Sequence, residues 1–122
     1  MVTHFLDTFA LVEIEEGNPK YLQYAEFDFV ITALNLMEFH YYLLRTFGQA
    51  SADEDATKLL KHVVNFDHAV MFEANKFRYK NKAKEVSTAD CVGYIYALKS
   101  GLKFVTGDRE FEGLPSVEFV KK

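Results

Sequence analysis

The sequence predicts an α/β fold, a three-layer α/β/α sandwich around a mostly parallel sheet of about five strands. Three observations carry this. Short apolar runs alternate along the chain with longer stretches of helical periodicity. Gly and Pro occur only as punctuation, with no internal repeat, low-complexity stretch or linker. Asp7 and Asp108 each stand just past the carboxyl end of a predicted strand, where open α/β sheets carry their crevice.

The elements follow in order. Residues 2–6 form an apolar run that breaks at Asp7-Thr8, as a buried strand does when it gives way to a helix. The helix over 9–16 stops at Gly17-Asn18-Pro19. Residues 27–31 are a second β-rich run, and Thr32 opens a helix that lasts to Phe47 and is closed by Gly48. In that helix Leu36, Phe39, Leu43, Leu44 and Phe47 follow helical spacing as a core face, while Glu38, Tyr42 and Arg45 share another. A third helix is expected over 52–62, with acids in its first turn where the helix dipole favours them. Val63-Val64-Asn65 is a brief strand candidate, and Asp67 is placed to cap a helix running to about residue 79. Ser87 begins a further helix that ends at Ser100-Gly101; strands are expected over 102–106 and 117–120.

A chain of 122 residues makes one domain, 1–122, with a substantial core. Hydrophobic residues are 49% of the chain and aromatics 16%, with 12 Phe and 7 Tyr, more bulky apolar material than a small monomer usually hides. Part of it is expected to line a homodimer interface. No apolar stretch approaches the ~18 residues of a spanning helix, and no secretory signal opens the chain, so no membrane role and a cytoplasmic location are expected. The single cysteine, Cys91, excludes an internal disulfide and reads as a small apolar helix residue. A net charge of -4 argues against a protein that wraps nucleic acid, though not against one that meets it at a local site.

Four acids carry the chemistry: Asp7, Glu38, Asp90 in Ser-Thr-Ala-Asp and Asp108 in Val-Thr-Gly-Asp. Each has a plain structural use. Asp7 can cap the next helix, Glu38 can close a capping box with Asn35, Asp90 can close one with Ser87, and Asp108 can be a turn acid. Their joint position says more. Side by side in a parallel layer, the four converge, and water does not cheaply stabilise so many negative charges together. A hard divalent cation does, which points to a Mg²⁺ or Mn²⁺ site and to phosphodiester hydrolysis. A Thr stands close to two of the acids, Thr8 beside Asp7 and Thr106 before Asp108.

Four segments in order, residues 5–12, 36–39, 87–94 and 104–111, resemble the successive signatures of the PIN-domain family, and residues 113–120 resemble its closing strand. By size the chain is similar to the VapC-type ribonuclease toxins and their free-standing prokaryotic relatives. The resemblance implies a metal-dependent endoribonuclease whose acidic pocket is Asp7, Glu38, Asp90 and Asp108. Asp7 and Asp90 would be the principal ligands, Thr106 a hydroxyl support and Glu110 an outer member. It also implies, for a toxin, an antitoxin whose tail covers the acidic groove. The chain departs from the common pattern at Glu110, where many relatives carry Asp, and at Cys91, where Ala is usual.

Positive charge concentrates in Lys76, Arg78, Lys80, Lys82 and Lys84, which read either as a solvated helix end or as a phosphate guide toward Asp90. Arg45, on the Glu38 face of its helix, reads either as a second RNA contact or as the partner of an acid. His4, His40, His62 and His68 show no zinc-type spacing. A receiver domain would need adjacent acids after the first strand and a Lys after the last strand but one, where this chain has Leu6-Asp7 and Gly107-Asp108. No Gly-rich loop follows the first strand, which disfavours a dinucleotide-binding fold. The remaining alternative is a catalytically lapsed PIN fold acting as an RNA- or protein-binding module, which the four intact acids oppose.

Overall fold

The computed structural model describes all 122 residues. It is the expected three-layer sandwich. In chain order the elements are β1 (His4–Leu6), α1 (Thr8–Glu15), β2 (Phe29–Val30), α2 (Ala33–Phe47), α3 (Gln49–Thr57), α4 (His68–Lys80), α5 (Thr88–Ser100), β3 (Lys103–Thr106) and β4 (Val117–Phe119), with short 3-10 turns at Leu22–Glu26, Leu60–His62 and Arg109–Phe111. The sheet runs in the order β2-β1-β3-β4, and every pairing is parallel. No helix is long and apolar enough to cross a membrane.

The central strands carry consecutive buried apolar residues, Phe5-Leu6 in β1 and Phe104-Val105 in β3, because both faces of the sheet are covered there. Successive side chains point to opposite faces. Phe5, Val30 and Phe104 therefore join one cluster with Val70 and Ala74 of α4 and Val92 and Ile95 of α5. Leu6, Phe29, Ile31 and Val105 join the other, with Leu11 of α1, Phe39 and Leu43 of α2, and Ala52 and Ala56 of α3. Each fully buried Phe or Leu contributes on the order of 1.5–3 kcal/mol. Together the two clusters fix which face each strand residue must take.

Two expectations are corrected. The sheet has four strands rather than five, because Val63-Val64-Asn65 contributes only one parallel bridge, Ile31 to Val63. The Ile31 N–H donates to the His62 carbonyl at 3.0 Å and the Val64 N–H to the Ile31 carbonyl at 2.8 Å. The 3-10 turn Leu60–His62 before this segment and the Asp67 cap after it leave too few residues for a ladder. The third helix starts earlier and ends sooner than expected, at Gln49–Thr57, because Gly48 at φ 89° closes α2 and opens α3 at once.

Gly93 sets how closely α5 lies on the sheet. A Cβ there would stand 2.6 Å from Phe5 Cε1 and 3.3 Å from Phe104 Cε1, both in rings that are themselves fully buried. We expect Gly93→Ala to destabilise the protein by about 1–3 kcal/mol, despite alanine's better helix propensity, because the packed rings have nowhere to go. Denaturant unfolding checks this; an unchanged midpoint would show that α5 can lift off the sheet without loss.

Candidate metal centre

The sheet topology delivers two acids directly. β1 and β3 are central neighbours, and the Asp7 N–H continues their ladder by donating to the Val105 carbonyl at 3.2 Å. Asp108 follows one glycine beyond β3. That glycine is required: a Cβ on Gly107 would stand 2.3 Å from Phe9 Cε1 and 2.5 Å from the Tyr21 hydroxyl. The buried Thr106 hydroxyl oxygen accepts the Asp108 N–H at 3.0 Å and seats the turn.

Helices deliver the other two, Asp90 from the first turn of α5 and Glu38 from the second turn of α2. Ser87 and Asp90 form the expected reciprocal capping box of α5: Asp90 Oδ2 accepts the Ser87 N–H at 3.2 Å, and Ser87 Oγ accepts the Asp90 N–H at 3.1 Å. The α2 box is different from the one expected. It joins Thr32 to Asn35, not Asn35 to Glu38. Glu38 is thus released from capping, and its Oε1 accepts the Thr8 hydroxyl at 2.6 Å. The buried Asn35 amide in turn donates to Thr8 Oγ1 at 3.4 Å, so a short polar chain runs from the α2 cap through Thr8 to Glu38.

Capping and site formation coexist because a carboxylate has two oxygens. Asp7 Oδ1 accepts the Ala10 N–H at 2.8 Å and caps α1. Asp108 Oδ1 accepts the Glu110 N–H at 2.9 Å. Asp7 Oδ2, in contrast, is buried and has no hydrogen-bond partner. Burial pushes the Asp7 pKa up to about 8; the Thr106 hydroxyl and the Ala10 N–H oppose the rise, and the charges of Asp90 and Asp108 add to it. Asp90 is also raised, first by burial, with Glu38 and Asp108 contributing against the pull of the Ser87 N–H. The acids therefore sense one another electrostatically.

Asp7, Glu38, Asp90 and Asp108 all line one cavity of about 390 Å³, with Thr8 and Ser87 in its wall. A cavity of similar size between α2 and α3 has a single acid, Asp53, which is paired with His40 at 2.8 Å. The donor set of the first cavity is all hard oxygen, and the orphaned Asp7 Oδ2 calls for a proton or a cation; both observations fit a hard divalent ion. The side chains alone do not close a coordination shell, since no three acids, histidines or cysteines gather tightly enough to hold an ion among themselves.

Other expected site residues lie outside this cavity. Glu110 supplies backbone groups: its N–H holds Asp108, and its carbonyl accepts Lys84 Nζ at 3.0 Å. Arg78 donates to Thr88 Oγ1 at 2.9 Å, at the start of α5. Lys82 lies over the Tyr79 ring and Arg45 over the Tyr41 ring. Lys76 and Lys80 are exposed on α4. Conversely, Glu13 and Lys122 line the cavity and were missed by sequence reasoning. The Thr32-x-x-Asn35 spacing could have revealed the polar chain to Thr8.

Residues 4–116 match the family model of the PIN domain, and the chain belongs to that family. The solved structures it resembles include a toxin–antitoxin complex from Klebsiella pneumoniae, at 16% identity and TM-score 0.78 over 98% of this chain and 100% of that one. DNA-bound VapBC from Salmonella typhimurium aligns at 19% identity and TM-score 0.75 over 99% and 98% of the two chains. VapC20 of Mycobacterium tuberculosis, described as a sarcin–ricin-loop-cleaving toxin, aligns at 17% and 0.75 over 100% and 98%. At these identities the likeness shows the fold. A search of curated protein sequences returns no match.

The pKa of Asp7 gives a signed prediction. Its folded-state value of about 8 lies above the ordinary 3.8, so without metal the native state binds the extra proton between those limits. Stability must then fall as pH rises from about 4 to about 8. Asp7→Asn keeps a good cap and removes that charge. We expect it to stabilise the metal-free protein at pH 7.5 by about 1–3 kcal/mol and to flatten the pH dependence. It should also reduce the rise in melting temperature conferred by Mn²⁺. Thermal melts across pH, with and without Mn²⁺, test this. A large metal-free loss in the variant would make Asp7 a structural cap and nothing more.

Proposed function

We propose that this protein is a divalent-metal-dependent endoribonuclease that hydrolyses RNA phosphodiester bonds at the four-carboxylate site, acting as the toxin of a toxin–antitoxin pair. The observation that carries the reading is the orphaned, buried oxygen of Asp7 in a cavity shared with Glu38, Asp90 and Asp108, within a PIN domain. Asp7 and Asp90 would hold Mg²⁺ or Mn²⁺, with Glu38 and Asp108 as ligands or as groups orienting bound water. A cation bound there lowers the pKa of a coordinated water and offsets charge on the phosphate.

The chain's own groups prepare the site. Thr8 fixes the Glu38 carboxylate by donating to one oxygen and leaves the other open. Thr106 and the Glu110 N–H hold Asp108 from both sides of its turn. The Ser87 cap fixes Asp90 at the positive end of α5, where the helix dipole favours negative charge. Because these acids are already oriented by hydrogen bonds, little reorganisation is needed when an ion and a phosphate enter. The lining is carboxylate, hydroxyl and a little apolar surface, so an ion here would complete its shell with water and substrate oxygen.

Purified protein should cut RNA in Mg²⁺ or Mn²⁺ and stop in EDTA. Asp90→Asn, which retains an amide able to cap α5, should lose about 100-fold or more of the rate. Undiminished cutting by both Asp7→Asn and Asp90→Asn would overturn the assignment; RNA binding without cutting by the native chain would make it a binding module.

The toxin reading is supported by the neighbours described as toxin–antitoxin assemblies and implies an antitoxin partner for this chain. A homodimer is part of the same proposal. Phe39 is buried and Phe77 is packed against the core, but Tyr41, Phe47, Phe72 and Tyr79 remain exposed on α2 and α4. Light scattering at micromolar concentration should report twice the 14.1 kDa chain mass; a stable monomer would remove the interface.

A further inference from the structure

The chain beyond β4 is steered to the acid cavity by two hydrogen bonds to the Val120 backbone. The Val120 N–H donates to the Thr106 carbonyl at 2.9 Å, and its carbonyl accepts the Tyr21 hydroxyl. Thr106 is the residue that seats Asp108, so the tail is tied at the edge of the site itself. Two residues on, Lys122 Nζ stands 3.6 Å from Glu13 Oε2. Glu13 belongs to α1, and both residues line the cavity that holds Asp7, Glu38, Asp90 and Asp108.

The two partners are unlike in a way that suggests a division of labour. The Glu13 side chain is only 5% exposed, and its Oε1 accepts the Asn18 amide at 2.9 Å, so it is a fixed post. The Lys122 side chain is 67% exposed. The pair is thus buried at its carboxylate end and open to water at its ammonium end. Its position says more: Lys122 is the one cationic side chain lining a cavity that counts five acids with Glu13. Lys84, Arg78 and Lys82 of the basic run are engaged elsewhere, with the Glu110 carbonyl, Thr88 and the Tyr79 ring. A phosphodiester approaching five carboxylates is repelled until positive charge meets it, and an ammonium has three donors, of which Glu13 can occupy one.

We propose that Lys122 binds a phosphate of the RNA strand at the α1 side of the cavity, with Glu13 as the residue that positions its ammonium. The proposal rests on the ribonuclease reading. Lys122 acts on substrate capture and register, and the bond-breaking acids are left as they are.

Steady-state cleavage of a fluorescent single-stranded RNA in Mn²⁺, at several salt concentrations, tests it with Lys122→Ala and Lys122→Arg. Lys122→Ala should lower kcat/KM about fivefold through KM and reduce the salt slope of log KM by about 1, measured at a temperature where the variant remains folded. Lys122→Arg, which keeps the charge, should restore most of the loss. A native-like KM and salt slope in Lys122→Ala, with the native protein cutting normally, would overturn the inference and leave the nuclease reading intact. A gain in kcat/KM would also overturn it, by showing that Lys122 occludes the site. If the native protein cuts in neither metal, the nuclease reading fails; fluorescence anisotropy with the same RNA then decides Lys122 separately. Binding weakened by Lys122→Ala and restored by Lys122→Arg would uphold the phosphate contact, and binding indifferent to both would remove it.

Discussion

The carboxylate of Asp7 divides its two oxygens between helix and cavity. Oδ1 caps α1 through the Ala10 N–H, while Oδ2 is buried without a partner. Asp7 stands at the end of a strand flanked on both sides, so its backbone is held in register by β3 and its side chain cannot turn out to water. The sheet, the first helix and the unsatisfied oxygen are therefore one constraint. Relieving the orphan by moving Asp7 would uncap α1 and break the ladder, so relief comes from a neighbour that can be brought to it: a hydroxyl, a water, a proton or a cation.

The same economy applies around the cavity. Asp90 lends an oxygen to the α5 cap and Asp108 lends one to its own turn. Capping and cavity lining, which look like alternatives along the sequence, are compatible in a group with two acceptors. The local hydrogen bond aims the remaining oxygen, and the helix or turn it stabilises is what brings that oxygen to the others.

Much of this is legible in the sequence. Adjacent apolar residues announce strands covered on both faces, and the Phe5/Leu6 and Phe104/Val105 pairs do divide between the two core clusters. Asp7 and Asp108 were readable because strand ends are abrupt. What escaped depended on the third dimension. The expected fifth strand shrank to a bridge because neighbouring turns took its residues. Asn35 was read as opening a box it in fact closes, since Thr32 and Asn35 both sit at cap-compatible spacing. Glu13 lies mid-helix and Lys122 near the far end of the chain, and nothing local links them; only Val120's anchorage to Thr106 and Tyr21 brings them within reach.

The parallel order β2-β1-β3-β4 places the first strand against the third and keeps β4 at the edge beside it. β1 is made long before its partner β3 and must wait for it, and closing so long a loop is slow compared with forming local helices. On the ribosome, the nascent chain can carry α1 to α4 while Asp7 still has neither Asp90 nor Asp108 near it. The acid cavity is thus assembled only after α1 to α4 are made. A truncated product that stops before β3 never acquires the complete acid cluster.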